Sequence, residues 1–198
     1  METEGKYKFV RFKENPTQEL FSVFFNHYFT RLNQFATTIL KSELLSEEIV
    51  LDVFLKLWER RMKLSEINNI ETYLYIAVRN NALNASKTEK KFRLDMLQDS
   101  EIQLADYKAP VDSEIIENEM FVMLNEAVAQ LPAQCKIVFK LIREDGLNRN
   151  EVAQILNISV KTVDNQVAIA IKKIARQLNI DLSNPGKSQV LTTFLLTL

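Results

Sequence analysis

The segment Arg149 to Arg176, RNEVAQILNISVKTVDNQVAIAIKKIAR, carries amides, hydroxyls and cations at a spacing suited to reading the edges of bases. Lys161, Thr162, Asn165, Ala168, Lys172 and Arg176 fall on one side of a helix. Val163, Val167, Ala170, Ile171, Ile174 and Leu178 form an apolar stripe on the other. Asn165 and Gln166 can pair bidentately with adenine, and Lys161 can reach guanine or a phosphate. The elements needed to present that face are written around it. Glu151 to Leu156 reads as a short helix with Val152, Ala153, Ile155 and Leu156 inward, and the small Ala153 lets a second helix cross closely. Asn157 suits a left-handed turn, and Ser159 suits the N-cap of the helix that follows. A short helix, a tight turn and a second helix with a polar outer face make a helix-turn-helix, the geometry that enters a major groove. An ordinary helical hairpin shares the pattern and is the plainer alternative.

Composition bounds the remainder. The chain has 198 residues, enough for one domain or two small ones, with only three glycines and four prolines. That scarcity, and the absence of Asn-Gly hairpin signals, points to helices throughout. A net charge of −1 provides no global field toward nucleic acid, so any DNA affinity must come from local patches. One histidine, His27, and one cysteine, Cys135, assemble no zinc site of the usual ligand types, and no cofactor is expected. Cys135 lies in an apolar helical run and reads as a small buried residue. A disulfide framework is excluded, in keeping with a reducing cytoplasm. The charged start reads as no signal peptide, and no apolar run is long enough to span a bilayer, so a cytoplasmic location is expected.

Charge divides the chain. Arg79, Lys87, Lys90, Lys91 and Arg93 stand against Glu89 alone, and then Asp95, Asp99, Glu101, Asp106, Asp112, Glu114, Glu117 and Glu119 stand against Lys108. Helical periodicity fades between Leu97 and Asp112, where Pro110 also falls. This reads as an acidic, solvated linker between two helical domains.

The N-terminal half contains three strong helical patterns. One runs from about Thr17 to Lys41. A second starts after Ser46, with Glu47 and Glu48 at the favourable end of the dipole. In it Ile49, Val50, Leu51, Val53, Phe54, Leu55, Leu57 and Trp58 cover roughly two-thirds of the circumference, far beyond the stripe a surface helix needs. Such a helix is either central in its domain or packs its core on one side and a partner on the other. The third pattern, about Ile70 to Lys87, has Tyr73, Leu74, Ile76, Ala77 and Leu83 as its inward set and ends in the basic cluster.

The series LNQFATTIL, SEEIVLDVFLKLWERR and IETYLYIAVRNNALNASKTEKK resembles region 2 of the extracytoplasmic-function group of sigma factors, within the sigma-70 family. LPAQCKIVFKLIREDGLNRNEVAQILNISVKTVDNQVAIAIKKIARQL resembles their region 4. The resemblance covers about Leu20 to Leu178, and the order and spacing of the two blocks are more specific than either alone. It implies an all-α chain of two small helical domains: residues 1–94 like region 2, 95–112 an acidic linker, 113–182 like region 4 with its helix-turn-helix, and 183–198 an apolar tail. It further implies a sigma subunit that is not itself an enzyme, binds the beta-prime and beta subunits of core RNA polymerase, directs initiation at promoter DNA and is held by an anti-sigma factor.

Residue by residue, the resemblance places core-polymerase contacts at Asp52, Val53, Lys56, Leu57 and Glu59. The loop from Arg61 to Glu71 and the start of the third helix resemble the part that captures a flipped base of the minus-ten element. Arg61, Arg79, Asn80, Asn84, Lys87, Lys90 and Lys91 are the expected minus-ten contacts. Ser159, Lys161, Thr162, Asn165, Gln166, Ala168, Ile169 and Lys172 are the expected upstream contacts.

Two features depart from the family. Asp164, Gln166 and Ile169 stand where related proteins commonly place arginines, so the helix is poor in charge, and polymerase or a further DNA-targeting protein is expected to supply the missing affinity. The tail QVLTTFLLTL is apolar but too short to cross a membrane, and no membrane insertion is expected. It is expected to fold back on the second domain or bind another protein. The rival readings are a stand-alone operator-binding regulator, which needs a dimer interface and a well-charged recognition helix, and a helical protein-binding adaptor, in which the basic cluster has no DNA role.

Overall fold

Caps and apolar spacing account for most of the architecture. A computed structural model describes residues 2–97, 119–178 and 180. Among these, the chain is all α-helical, with no strand. The helices are α1 (Glu2–Glu14), α2 (Gln18–Leu40), α3 (Glu43–Glu59), α4 (Ile70–Leu97), α5 (Glu119–Ala129), α6 (Ala133–Arg143), α7 (Arg149–Leu156) and α8 (Val160–Gln177), with a 3-10 segment at Arg61–Glu66 before α4. Most of the expected linker, from residue 98 onward, and the apolar tail lie outside the described residues.

α2 begins where Thr17 accepts from the Leu20 amide and ends at Lys41, whose φ of 58° terminates it in the left-handed region. The sequence places the start of α3 one turn late. Its cap is Ser42, whose Oγ accepts from the Leu45 amide, while Ser46 is buried inside the helix and donates to the Ser42 carbonyl at 2.6 Å. α4 continues to Leu97, past residue 94 where the first domain was expected to end. Its buried seam is Ile70, Leu74, Tyr75, Val78 and Ala82, not the expected set; Tyr73 is 38% exposed. The phase differs because polar Glu71 and Thr72 are buried, and Glu71 accepts from the Tyr28 hydroxyl at 3.3 Å.

Rings fill the N-terminal core. Phe9, Phe12, Phe24, Tyr28 and Phe54 are buried, and Phe21 meets Trp58 with centroids 4.9 Å apart. α1, unmarked by any strong periodicity, is seated here through Phe9 and Phe12. It approaches α2 so closely that a Cβ on Gly5 would fall 2.2 Å from the Tyr28 hydroxyl. The C-terminal helices use smaller pieces, with Ala127, Ala170, Ala175 and Cys135 buried beside Leu124, Leu131 and Ile174. The two halves are not separate bodies. α7 packs on α4 and α6 touches α2, so that Leu141, Val152, Ile155 and Val163 belong to the same apolar core as Phe24 and Leu74.

Candidate nucleic-acid interface and docking shelf

α3 uses one part of its wide apolar arc for the core and shows another to solvent. Val53 and Leu57, expected as partner contacts, are 3% and 1% exposed. They belong to the core of the described chain and do not form part of its outer face. The outward apolar side chains are Leu44, Leu51 and Leu55, flanked by exposed Asp52, Lys56 and Glu59. Leu51 and Leu55 border an open groove of about 570 Å³ floored by Phe21, Phe25, Phe54 and Trp58. Residue type alone could not separate Leu51 and Leu55 from Val53 and Leu57; only the angle around the helix does.

On α4, Tyr73, Asn80, Asn84 and Lys87 share the stripe opposite the buried seam, and all four are exposed. Arg79 lies round the side, and its Nη1 reaches back to Asn80 Oδ1 at 3.4 Å. Arg61, in the 3-10 segment, stacks over Trp58 at 4.5 Å and donates to the Trp58 carbonyl at 3.0 Å, which fixes its guanidinium against a ring that also lines the α2/α3 groove. The side chains of Lys90 and Lys91 lie outside the described residues. Tyr73, expected to face inward, instead stands at the surface. An exposed aromatic beside a loop and a row of amides is the kind of platform on which an unstacked base rests.

The helix-turn-helix forms as its caps require. Asn148 accepts from the Asn150 and Glu151 amides, and Glu151 Oε2 accepts from the Asn148 amide at 2.9 Å, a reciprocal capping box at the start of α7. Asn157 ends α7 with φ 54° and ψ 51°. Ser159 Oγ accepts from the Thr162 amide at 3.0 Å and so opens α8. Val163, Ala170 and Ile174 turn inward, while Lys161, Asn165, Ala168, Ile169 and Lys172 are exposed.

Two expected contacts have other engagements. Gln166 is half-buried and its Oε1 accepts from the Cys135 thiol at 2.8 Å, so it faces the underlying helix. Burial pushes the Cys135 thiol above its usual range, which keeps it protonated and able to donate. Ser159 spends its hydroxyl on the cap. Asp164, the acid among the cations, is paired at 2.8 Å with Arg149 from the start of α7, so its charge is met within the motif. Among the described residues no cluster of side chains is arranged to hold a metal, and no helix is long and apolar enough to cross a membrane.

Comparison with known proteins gives these surfaces a family. Residues 24–92 match the family model for sigma-70 region 2, and residues 121–174 match that for sigma-70 region 4. No curated protein matches the chain by sequence. Among solved structures, it is similar to the sigma factor RpoE of Bartonella quintana, in complex with the anti-sigma factor NepR, at 19% identity and a TM-score of 0.58. That likeness covers 81% of this chain and 98% of the other. It is also similar to CnrH, in complex with the cytosolic domain of CnrY, at 16% identity and a TM-score of 0.53, covering 86% and 94%. At such identities the likeness speaks for the fold. The two matched regions, in this order and spanning well over half of the residues, are what decide it: the chain belongs to the sigma-70 family, in the region 2 and region 4 arrangement of the extracytoplasmic-function sigma factors.

Proposed function

We propose that this sigma factor binds core RNA polymerase through the groove between α2 and α3, opens minus-ten DNA with α4 and the segment before it, and contacts upstream DNA with α8. The observation that carries the reading is the pairing of a region 2 bundle, whose apolar shelf no part of the described chain covers, with a region 4 helix-turn-helix. Leu51 and Leu55 supply the apolar docking contacts, with Asp52, Lys56 and Glu59 as their charged rim. Catalysis of RNA synthesis belongs to the polymerase.

Opening a duplex without ATP requires that unstacking, a few kcal/mol, be recovered in contacts to an extruded base. Tyr73 offers a ring for stacking, Asn80 and Asn84 offer amides, and Arg61, Arg79 and Lys87 offer phosphate contacts. Lys161, Thr162, Asn165 and Lys172 are the upstream contacts, with Ala168 and Ile169 adding apolar surface. Their sparse charge fits a domain that binds promoter DNA weakly unless polymerase or another DNA-targeting protein tethers it. An anti-sigma factor is the expected inhibitor; the RpoE neighbour is held in complex with one, NepR.

The test is transcription in vitro with purified core polymerase. Promoter-dependent transcripts that require this protein support the reading. Tight, specific operator binding by the protein alone, without any effect on polymerase, favours a stand-alone regulator instead.

A further inference from the structure

A cavity of about 550 Å³ lies between the end of α2 and the start of α6, and shares no residue with the apolar groove or with the faces assigned to DNA. Three ammonium groups line it: Lys41 from the left-handed residue that ends α2, and Lys136 and Lys140 from successive turns of α6. Glu43 is the one carboxylate in the lining, and Glu144 pairs with Lys140 at 3.1 Å. Neither Lys41 nor Lys136 has an ion-pair partner among the described residues. Lys136 is half-buried, and that burial, with Lys140 nearby, lowers its ammonium below the usual range. An anion would relieve a cation held in this way. Beside Lys136, α6 opens at Pro132 with no side chain to accept from the amides of its first turn, so the positive end of the helix faces the same space at Ala133.

The body of α2 forms a wall of the opposite character. Thr37 and Thr38 donate their hydroxyl protons to the carbonyls of Asn33 and Phe35, at 2.9 and 2.6 Å, so toward the cavity their oxygens can only accept. Asn33 Oδ1, on the same wall, is buried without a hydrogen-bond partner. Donors and positive charge from α6 and Lys41, set against acceptors from α2, suit a ligand with an anionic end and hydroxyl or amino groups elsewhere. The volume falls in the range of small-molecule sites, roughly 300–1,000 Å³. A lone phosphate would fill a small part of it. Pyrophosphate, rich in acceptors and poor in donors, would satisfy the lysines and leave the α2 wall unmet.

We propose that this cavity is a binding site for a phosphorylated nucleoside: the phosphates lie against the start of α6 between Lys136 and Lys41, and sugar hydroxyls or base amino groups meet Thr37, Thr38 and Asn33. Lys140, shared with Glu144, adds charge at one side. The site is independent of the DNA and polymerase contacts assigned above and stands or falls without them. A ligand bound by the folded chain alone raises its melting temperature by mass action, so occupancy is readable without any transcription assay.

The experiment titrates the full chain with GDP, ADP and pyrophosphate in magnesium-free buffer, read by calorimetry and by melting temperature. At least one nucleotide should bind, and pyrophosphate should bind at least about tenfold more weakly, since it forgoes the hydrogen bonds of the α2 wall. Lys136→Gln should weaken the nucleotide by about tenfold, the scale of one charge-assisted hydrogen bond. Lys41→Asn removes the other ammonium with a residue that accepts left-handed geometry, so the end of α2 is kept, and should weaken binding by about fivefold. Thr38→Val should weaken the nucleotide by about threefold and leave pyrophosphate unchanged. Arg11→Gln, on α1, should change nothing. Melting curves without ligand show which variants keep the fold; if Lys136→Gln does not, Lys41→Asn decides. Absence of nucleotide binding short of millimolar concentration overturns the site, as does binding indifferent to the lysine variants that fold. Pyrophosphate bound as tightly as the nucleotides overturns it too. So does a promoter duplex that displaces the nucleotide and itself loses affinity in the same lysine variants, which would assign the cluster to DNA.

Discussion

The two regions reach stable cores by opposite means. The N-terminal bundle interlocks large rings, with Phe24 touching Phe9, Phe12, Phe21, Tyr28 and Phe54. The C-terminal helices bring backbones close over Ala170, Ala175 and Cys135, and fix their ends with Asn148, Asn157 and Ser159. A core of rings tolerates a broad apolar shelf on its outer side, because much of its stability lies in a few large inward residues. A core of small residues depends on accurate helix ends, which suits a motif whose task is to hold a short helix at a fixed angle.

Phe24 is where this contrast is most exposed to failure. Phe24→Ala should lower the stability of the N-terminal region by about 3–5 kcal/mol, read by chemical denaturation, because several rings lose a common neighbour. A cost near that of a surface substitution would mean that the rings are not the keystone. The shelf comes next. The double variant Leu51→Glu, Leu55→Glu should lose at least about 2 kcal/mol of affinity for core polymerase while its melting curve stays within experimental scatter. Loss of stability in place of affinity would return both leucines to the core.

In the C-terminal region the vulnerable direction is the reverse, small to large. Ala170→Leu should cost about 1–3 kcal/mol by forcing α6 and α8 apart, whereas the same change at exposed Ala168 should be nearly neutral. The smallest expected effect is at a cap. Asn148→Ala removes the acceptor for two amides and should cost about 1 kcal/mol in thermal or denaturant melting. A null result there would show that packing, not capping, holds α7.

Local chemistry made part of this legible in advance. The turn at Asn157 and the cap at Ser159 follow from the intrinsic preferences of single residues, and the structure has both. The excess apolar arc of α3 was also plain in the sequence. Which leucines face outward was not, because the two sides of the arc are built from the same residue types. The phase of α4 was misread for a different reason: Glu71 and Thr72 occupy buried positions, so counting apolar residues alone rotates the stripe and hides Tyr73. α1 gave little signal because its seating depends on Phe9, Phe12 and the bare Cα of Gly5. The hydrogen bond from Asn69 Nδ2, just before α4, to Glu151 Oε1 of α7 was beyond reach, since the two residues are 82 positions apart and neither is unusual where it stands.

The continuous core has a thermal consequence. Where Leu141, Val152 and Val163 share one apolar interior with Leu74 and Phe24, separating the regions hydrates nonpolar surface and raises the heat capacity. The drive to bury that surface fades on cooling. Contact between the two halves should therefore weaken on cooling, and a van't Hoff plot of the chain's unfolding should curve instead of running straight.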